Sequence, residues 1–313
     1  MRPFLSLSIL SATLFATVHV SAQGGGPFQV AETGRSFARL ADAVAAIGDG
    51  TGTILIAPGT YRECAVQGAG HISYRAQIAG QSIFDGGICE GKAALVLRGR
   101  SAAVDGIVFQ RMAVPDGNGA GIRLEKGNLN ITRSVFRDSE QGILTAQDPV
   151  GEIIIDQSTF SGLGRCDRGL GCAHSIYIGD FASLTVTRSR FERGNGGHYV
   201  KSRAARAIIQ NNAFDDTRGR TTNYMIDLPG GASGMINGNV FVQGKDKENY
   251  SALIAIAAEG RQRSSNALAI SGNDASIAPG VDRNTVFVAV WGDDRPTLGS
   301  NRLGRGIEPF EKR

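Results

Sequence analysis

Helical periodicity is nearly missing from this sequence, and so are long apolar runs and blocks of like charge. Beyond residue 22 no apolar stretch approaches the length that crosses a bilayer, so no stable membrane anchor is expected. No basic run offers itself to a nucleic acid. The formal net charge is only +4, a mild cationic bias that suits an acidic partner without requiring one. The Leu-x-x-Leu-x-Leu pattern is absent, which removes the leucine-rich solenoids.

What is present is one short strand written repeatedly. Leu-Asn-Ile-Thr-Arg-Ser-Val-Phe (129–136) is followed by Ile-Ile-Ile-Asp-Gln-Ser-Thr-Phe (153–160), Leu-Thr-Val-Thr-Arg-Ser-Arg-Phe (184–191), Ala-Ile-Ile-Gln-Asn-Asn-Ala-Phe (207–214) and Gly-Met-Ile-Asn-Gly-Asn-Val-Phe (234–241). The closing phenylalanines, Phe136, Phe160, Phe191, Phe214 and Phe241, are spaced 24, 31, 23 and 27 apart, and Phe84 and Phe109 precede them. A period in the twenties with one β-branched strand per repeat predicts a parallel β-helix. Coils stacked about 4.8 Å apart turn equivalent residues into ladders. The phenylalanines should stack inside. Ser134, Ser158, Ser189, Asn212 and Asn239, continued by Asn273 and Asn301, should sit at a bend and bond its backbone. The 43 glycines are dispersed, as a chain that turns several times per coil requires.

The division expected is a signal peptide over 1–22, a linker over 23–34, the β-helix over 35–305 and a polar tail over 306–313. Met-Arg, an apolar run and Val-Ser-Ala-Gln (20–23) have the order of a secretory signal, preferred over an anchor because Ser6, Ser8, Ser11 and His19 interrupt the run. The mature chain is therefore expected to be soluble, monomeric, and secreted or periplasmic. In that setting the four cysteines invite disulfides. Cys64 with Cys89 and Cys166 with Cys172 is the most local of three pairings, and free thiols are the alternative.

Residues 36–48 read as one amphipathic helix, with Phe37, Leu40, Val44 and Ile47 on a face, Ser36 as cap and Gly48 as stop. Such a helix would cover the open end of the solenoid. Followed by Ile-Ala-Pro-Gly-Thr-Tyr (56–61), it resembles the entry of the pectate-lyase-like superfamily of right-handed parallel β-helices. With the coil ladders the resemblance spans nearly the whole mature chain. It implies an all-β, right-handed parallel β-helix with a short N-terminal capping helix, but no reaction.

The 31-residue spacing marks an insertion at 161–173, which must leave the solenoid as a loop. Polar chemistry thickens just after it. If Ile178, Lys201 and Asp227 form one column and His174, Gly197 and Asn223 another, Tyr177, Val200 and Ile226 point inward. One outer face then gathers Lys201, Asp227, His198, Arg203, Tyr224 and His174. These outward side chains should carry little packing. Lys201, Arg203, His198 and Asp227 are the catalytic candidates. His174, Tyr177, Tyr224, Asn223, Arg168 and Glu259 are candidates for binding substrate. The competing reading is a solvated face with a Lys–Asp pair.

Val200-Lys201-Ser202 followed by Asn211-Asn212-Ala-Phe214 is similar to a segment of polysaccharide lyase family six, which includes chondroitinase B and alginate lyases. The resemblance implies Lys201 as the base that removes the proton α to a uronate carboxylate. In that family an Arg one coil on assists, and calcium held by carboxylates upstream of the Lys neutralises the substrate acid. Here Asn195-Gly-Gly-His198 stands upstream and Asp227 takes the Arg position, so no cofactor is expected and calcium remains only an alternative. The paired aspartates with Gly-His-Gly of polygalacturonases and the Asp-Pro-His-Asp of mannuronan epimerases are both missing. The expectation is an enzyme or enzyme-like protein acting on an acidic polysaccharide by β-elimination or C5 epimerisation. The rival is a non-catalytic carbohydrate-binding or envelope-structural β-helix.

Overall fold

The computed structural model describes residues 25–313; the expected signal peptide lies outside them. Each turn of chain gives one strand to each of three parallel sheets. Asn128–Thr132 belongs to sheet A, Val135–Arg137 to sheet B and Gln141–Thr145 to sheet C, before Asp148–Asp156 returns to sheet A. Continued along the chain, this builds sheets of 12, 10 and 10 strands, a right-handed parallel β-helix with one helix near its start.

The phenylalanine ladder forms as the spacing requires. From Phe109 through Phe136, Phe160, Phe191 and Phe214 to Phe241, successive rings lie 4.8–5.0 Å apart and nearly parallel. In-register parallel strands hold identical side chains at the strand spacing, so the backbone imposes a face-to-face stack that free rings would offset. Sheet A fills the opposite wall with Leu129, Ile131, Ile153, Ile155, Leu184, Val186 and Ile209, all buried.

Between sheets A and B the chain bends through a left-handed residue. Arg133, Gln157, Arg188 and Asn211 hold φ of 48°, 51°, 48° and 56°, a conformation costly by about 1 kcal/mol for residues with a Cβ. The Ser/Asn ladder supports it. The amide of Ser134 donates to Ser158 Oγ (3.2 Å), Ser158 to Ser189 (3.1 Å), Ser189 to Asn212 Oδ1 (2.8 Å), Asn212 to Asn239 (2.9 Å), Asn239 to Asn273 (3.0 Å) and Asn273 to Asn301 (3.1 Å). Each bend thus has its exposed N–H satisfied by the side chain one coil on.

The helix is shorter than expected, Leu40–Ile47. Ser36 does not cap it. Ser36–Phe37 is a strand paired antiparallel with Phe28–Val30, and the Leu40 amide instead meets the Glu63 carboxylate at 3.2 Å. Long-range strand pairing and a carboxylate from the first coil override the local capping signal. Gly48, at φ 58°, stops the helix as its sequence suggests. Leu40 and Val44 are buried against the coils and Phe37 and Ile47 pack at the margin. The sheets also extend past 35–305. Phe28–Val30 joins sheet A, and Ile307–Lys312 pairs with Thr285–Val290 as a strand of sheet C. Cys64–Cys89 links successive coils and Cys166–Cys172 closes the inserted loop, both as the spacing suggested. Two disulfides fit an oxidising compartment. No described helix is long and apolar enough to cross a membrane.

Candidate functional site

The inserted segment leaves the solenoid between Thr159–Ser161 and Ile176–Ile178. Its disulfide anchors it to the next coil, because the Gly197 amide donates to Cys166 Sγ at 3.2 Å. Gly197 has φ 60°, and a Cβ there would fall 2.1 Å from the Ala173 carbonyl oxygen, so only glycine allows this approach. The bend delivers the His198 amide to His174 Nδ1 at 3.0 Å, which leaves the His174 proton on Nε2.

The columns differ by one residue from those expected. Tyr177 pairs with Lys201 and Lys201 with Asp227, while Ile178 pairs with Ser202 and faces inward. Tyr177 is therefore an outward, half-buried residue and Ile178 is fully buried. A one-residue slip flips every side chain to the other face, and the apolar Ile178 settles the register by taking the core. The second column is likewise His174, His198 and Tyr224, whose rings lie 4.9 and 5.5 Å apart in sequence, not His174, Gly197 and Asn223.

Six of the expected residues do converge. Lys201 Nζ lies 2.9 Å from Asp227 Oδ2, and His198 Nε2 lies 3.4 Å from the same oxygen. Glu259, from the loop after Ala252–Ile256, bridges Lys201 and Arg203 with one carboxylate oxygen each. Arg203 Nε donates to Tyr177 Oη at 3.1 Å, and the Lys201 ammonium lies 5.8 Å from the Tyr177 ring centre. The face is not the lightly packed surface expected, since Lys201 and Asp227 are only 7% and 2% exposed.

Burial lifts the Asp227 carboxyl above its ordinary range, against the pull of Lys201. Burial alone would lower the Lys201 ammonium, but Asp227 and Glu259 together hold it above its ordinary value. Glu259 falls to about 2 because hydrogen bonds from Lys201 and Arg203 outweigh its own desolvation. Burial, with the Lys201 charge, pushes His198 down to about 3, and burial also takes His174 well below the imidazole range. At neutral pH the face therefore carries two neutral imidazoles and charged Lys201, Arg203 and Glu259. Among the described residues His198 Nδ1 and Asp227 Oδ1 are buried without a hydrogen-bond partner.

His174 and Tyr224 flank this cluster by stacking on His198, whereas the last two candidates are engaged by other groups. Asn223 donates to Glu248 at 2.8 Å, and Arg168 pairs with Glu140 and Asp167 on the loop's far side. Behind the face lies a pair that sequence reasoning missed. Lys247 Nζ sits 3.2 Å from Asp216 Oδ2 with both side chains at 1% exposure or less, and Tyr199 Oη and Thr222 Oγ1 also donate to Asp216, at 2.7 and 2.9 Å. Lys247 lies within Gly-Lys-Asp-Lys-Glu (244–248), which reads as a solvated run. Upstream of Lys201, His174 and His198 present stacked rings and Asn195 Nδ2 donates to the Gly162 carbonyl at 3.2 Å.

No family model and no curated protein matches the sequence. Two solved structures share its shape. Over 86% of this chain it superposes on Geobacillus virus E2 ORF18 with a TM-score of 0.52 and 14% identity, covering 55% of that protein. Over 84% it superposes on the PL6-family alginate lyase AlyGC with a TM-score of 0.51 and 14% identity, covering 38%. This chain thus spans about half of the one and little more than a third of the other. At such identity the likeness is one of fold, and the fold is the parallel β-helix that the coil ladders foretold, with the right hand that the resemblance implied.

Proposed function

We propose that this chain is an exported protein that acts on an acidic polysaccharide at the outer face of sheet C, by β-elimination or C5 epimerisation of a uronate. The observation that carries this reading is that Lys201 and Arg203 already clamp one carboxylate, that of Glu259. A uronate carboxylate has the same shape and charge and would displace a side chain that is 45% exposed. Both reactions remove the proton at C5, leaving its electron pair delocalised into the carboxylate as an enolate-like dianion. In elimination the pair then forms the C4–C5 double bond and the glycosidic oxygen on C4 departs. In epimerisation a proton returns to the opposite face of C5. Arg203 and the clamp stabilise the extra negative charge. Lys201, once it has lost its own proton, is the candidate base that takes the C5 proton, and Asp227 orients it.

One observation favours the alternative of a non-catalytic glycan-binding face. Asp227 and Glu259 hold Lys201 protonated, and a base must be free. Incubation with a panel of uronate polymers in D2O separates the readings. Growth of unsaturated-uronate absorbance marks elimination, and deuterium at C5 without absorbance marks epimerisation. Binding with neither signal establishes the alternative, and no binding to any polymer overturns both.

A further inference from the structure

Sheet B hands the chain to sheet C through a corner, and two successive corners gather three arginines around one cavity. On other coils Arg133 pairs with Asp105, Arg188 with Asp156 and Arg302 with Asp274. At residues 193–199 and 216–225, Arg193, Arg218 and Arg220 surround a cavity of 550 Å³ completed by Asn195, Gly219 and Asp246. Arg193 approaches Asp138 at 3.7 Å, and among the described residues Arg218 and Arg220 have no ion-pair partner. The one carboxylate in the cavity, Asp246, spends Oδ1 on the Thr221 amide at 3.1 Å.

The walls are held in place. The Arg220 amide donates to the Gly194 carbonyl at 2.8 Å, and the Gly219 amide to the Asp216 carbonyl at 2.9 Å. A Cβ on Gly219 would fall 1.9 Å from Asp216 Oδ1, so the turn that sets Arg218 and Arg220 side by side depends on glycine. Asp216 is in turn fixed by Tyr199, Thr222 and Lys247. Three guanidinium forks around a concavity match the paired anionic oxygens of a carboxylate or a sulfate ester. The same two corners end at His198 and Tyr224, and three residues further each reaches Lys201 or Asp227 on sheet C. The cavity and the sheet C face are therefore two ends of one short surface.

We propose that this corner cavity is a second anion subsite, in which Arg193, Arg218 and Arg220 take a carboxylate or sulfate of a glycan whose neighbouring acidic unit lies at Lys201 and Arg203. Its coupling to Lys201 rests on the function proposed above; its affinity for an oxyanion does not. The test measures binding of an oligogalacturonate, a sulfated dextran oligosaccharide and neutral dextran to the full chain. The variants are Arg218→Ala/Arg220→Ala and Lys201→Met, each checked for a retained β-rich circular dichroism spectrum. The arginine pair should weaken the better-bound charged glycan about tenfold or more and flatten its salt dependence. Which charged probe binds better names the source of the oxyanion. Unchanged affinity in the arginine variant overturns the subsite, as does neutral dextran binding as tightly as the charged probes. Loss in the arginine variant but not in Lys201→Met supports the subsite and sinks the sheet C face. Loss only in Lys201→Met does the reverse, and a parent that binds neither polyanion overturns both.

Discussion

Lys201 and Asp227 face each other across adjacent coils with Nζ and Oδ2 2.9 Å apart, and both are shut almost completely from water. Removing Lys201 leaves the Asp227 carboxylate buried without its cation, and removing Asp227 leaves the buried Lys201 with Glu259 as its remaining counter-charge. Lys201→Ala and Asp227→Ala should each cost about 3 kcal/mol in a denaturant titration. Lys201→Met with Asp227→Leu should recover most of that loss. If each single variant unfolds at the parent's midpoint, the pair is not buried as described.

Glu259 is the exposed end of the same cluster. Glu259→Gln removes the internal carboxylate from Lys201 and Arg203, and oligouronate binding should tighten about tenfold by titration calorimetry. Weaker binding would mean that Glu259 helps to hold the substrate instead.

Stability should fall with mild acid. His198 has a pKa of about 3 in the fold against 6.5 for a free imidazole. Below 6.5 the unfolded chain gains a proton that the folded chain refuses. The stabilisation is thus complete above 6.5 and fades as pH falls towards 3, with the buried His174 adding in the same direction. Between pH 7 and 5, where few carboxylates titrate, His198→Gln should make the slope of unfolding free energy against pH shallower. A parent slope of zero there would contradict the burial of both rings.

The disulfide of the inserted loop should act locally. Cys166→Ser/Cys172→Ser should lower global stability by about 2–3 kcal/mol at most. Hydrogen exchange should quicken at 162–175 and at Gly197 and His198, which the loop anchors. Exchange that quickens evenly along the chain would refute this. Peptide mapping of the parent should return the pairs Cys64–Cys89 and Cys166–Cys172.

Asn239 is fully buried and bonded to the coils on both sides. Asn239→Ala should cost about 2–4 kcal/mol by leaving the amides beside it unsatisfied. Asn239→Ser should cost less, because serine fills the same place at Ser134, Ser158 and Ser189. Equal losses in the two variants would deny the ladder its role.

The ladders were legible because a parallel solenoid repeats one contact at every coil, so the Phe and Ser/Asn columns appear directly as spacing. The cluster was legible for a weaker reason. Polar residues such as Lys201 and Asp227 recur within strands otherwise made of Ile and Val. The register between Tyr177 and Lys201 was not, since the inserted loop absorbs residues that no period counts, and only the burial of Ile178 resolves it. The Lys247–Asp216 pair was hidden in a run with a surface composition. The arginine cavity was hidden because neither Arg218 nor Arg220 announces from sequence that it lacks a partner.

The asparagine bend has a direction. The Asn239 amide oxygen accepts from both the backbone and side-chain N–H of Asn212, and its own nitrogen donates to the Asn273 amide oxygen, as that of Asn273 does to Asn301. Four amides joined in this sense form a polarised wire along the solenoid axis, each link strengthening its neighbours. A break at Asn239 or Asn273 divides the wire, whereas a break at Asn301 only shortens it. The same substitution should therefore weigh more in the middle of the column than at its end, although every position makes nearly the same bonds.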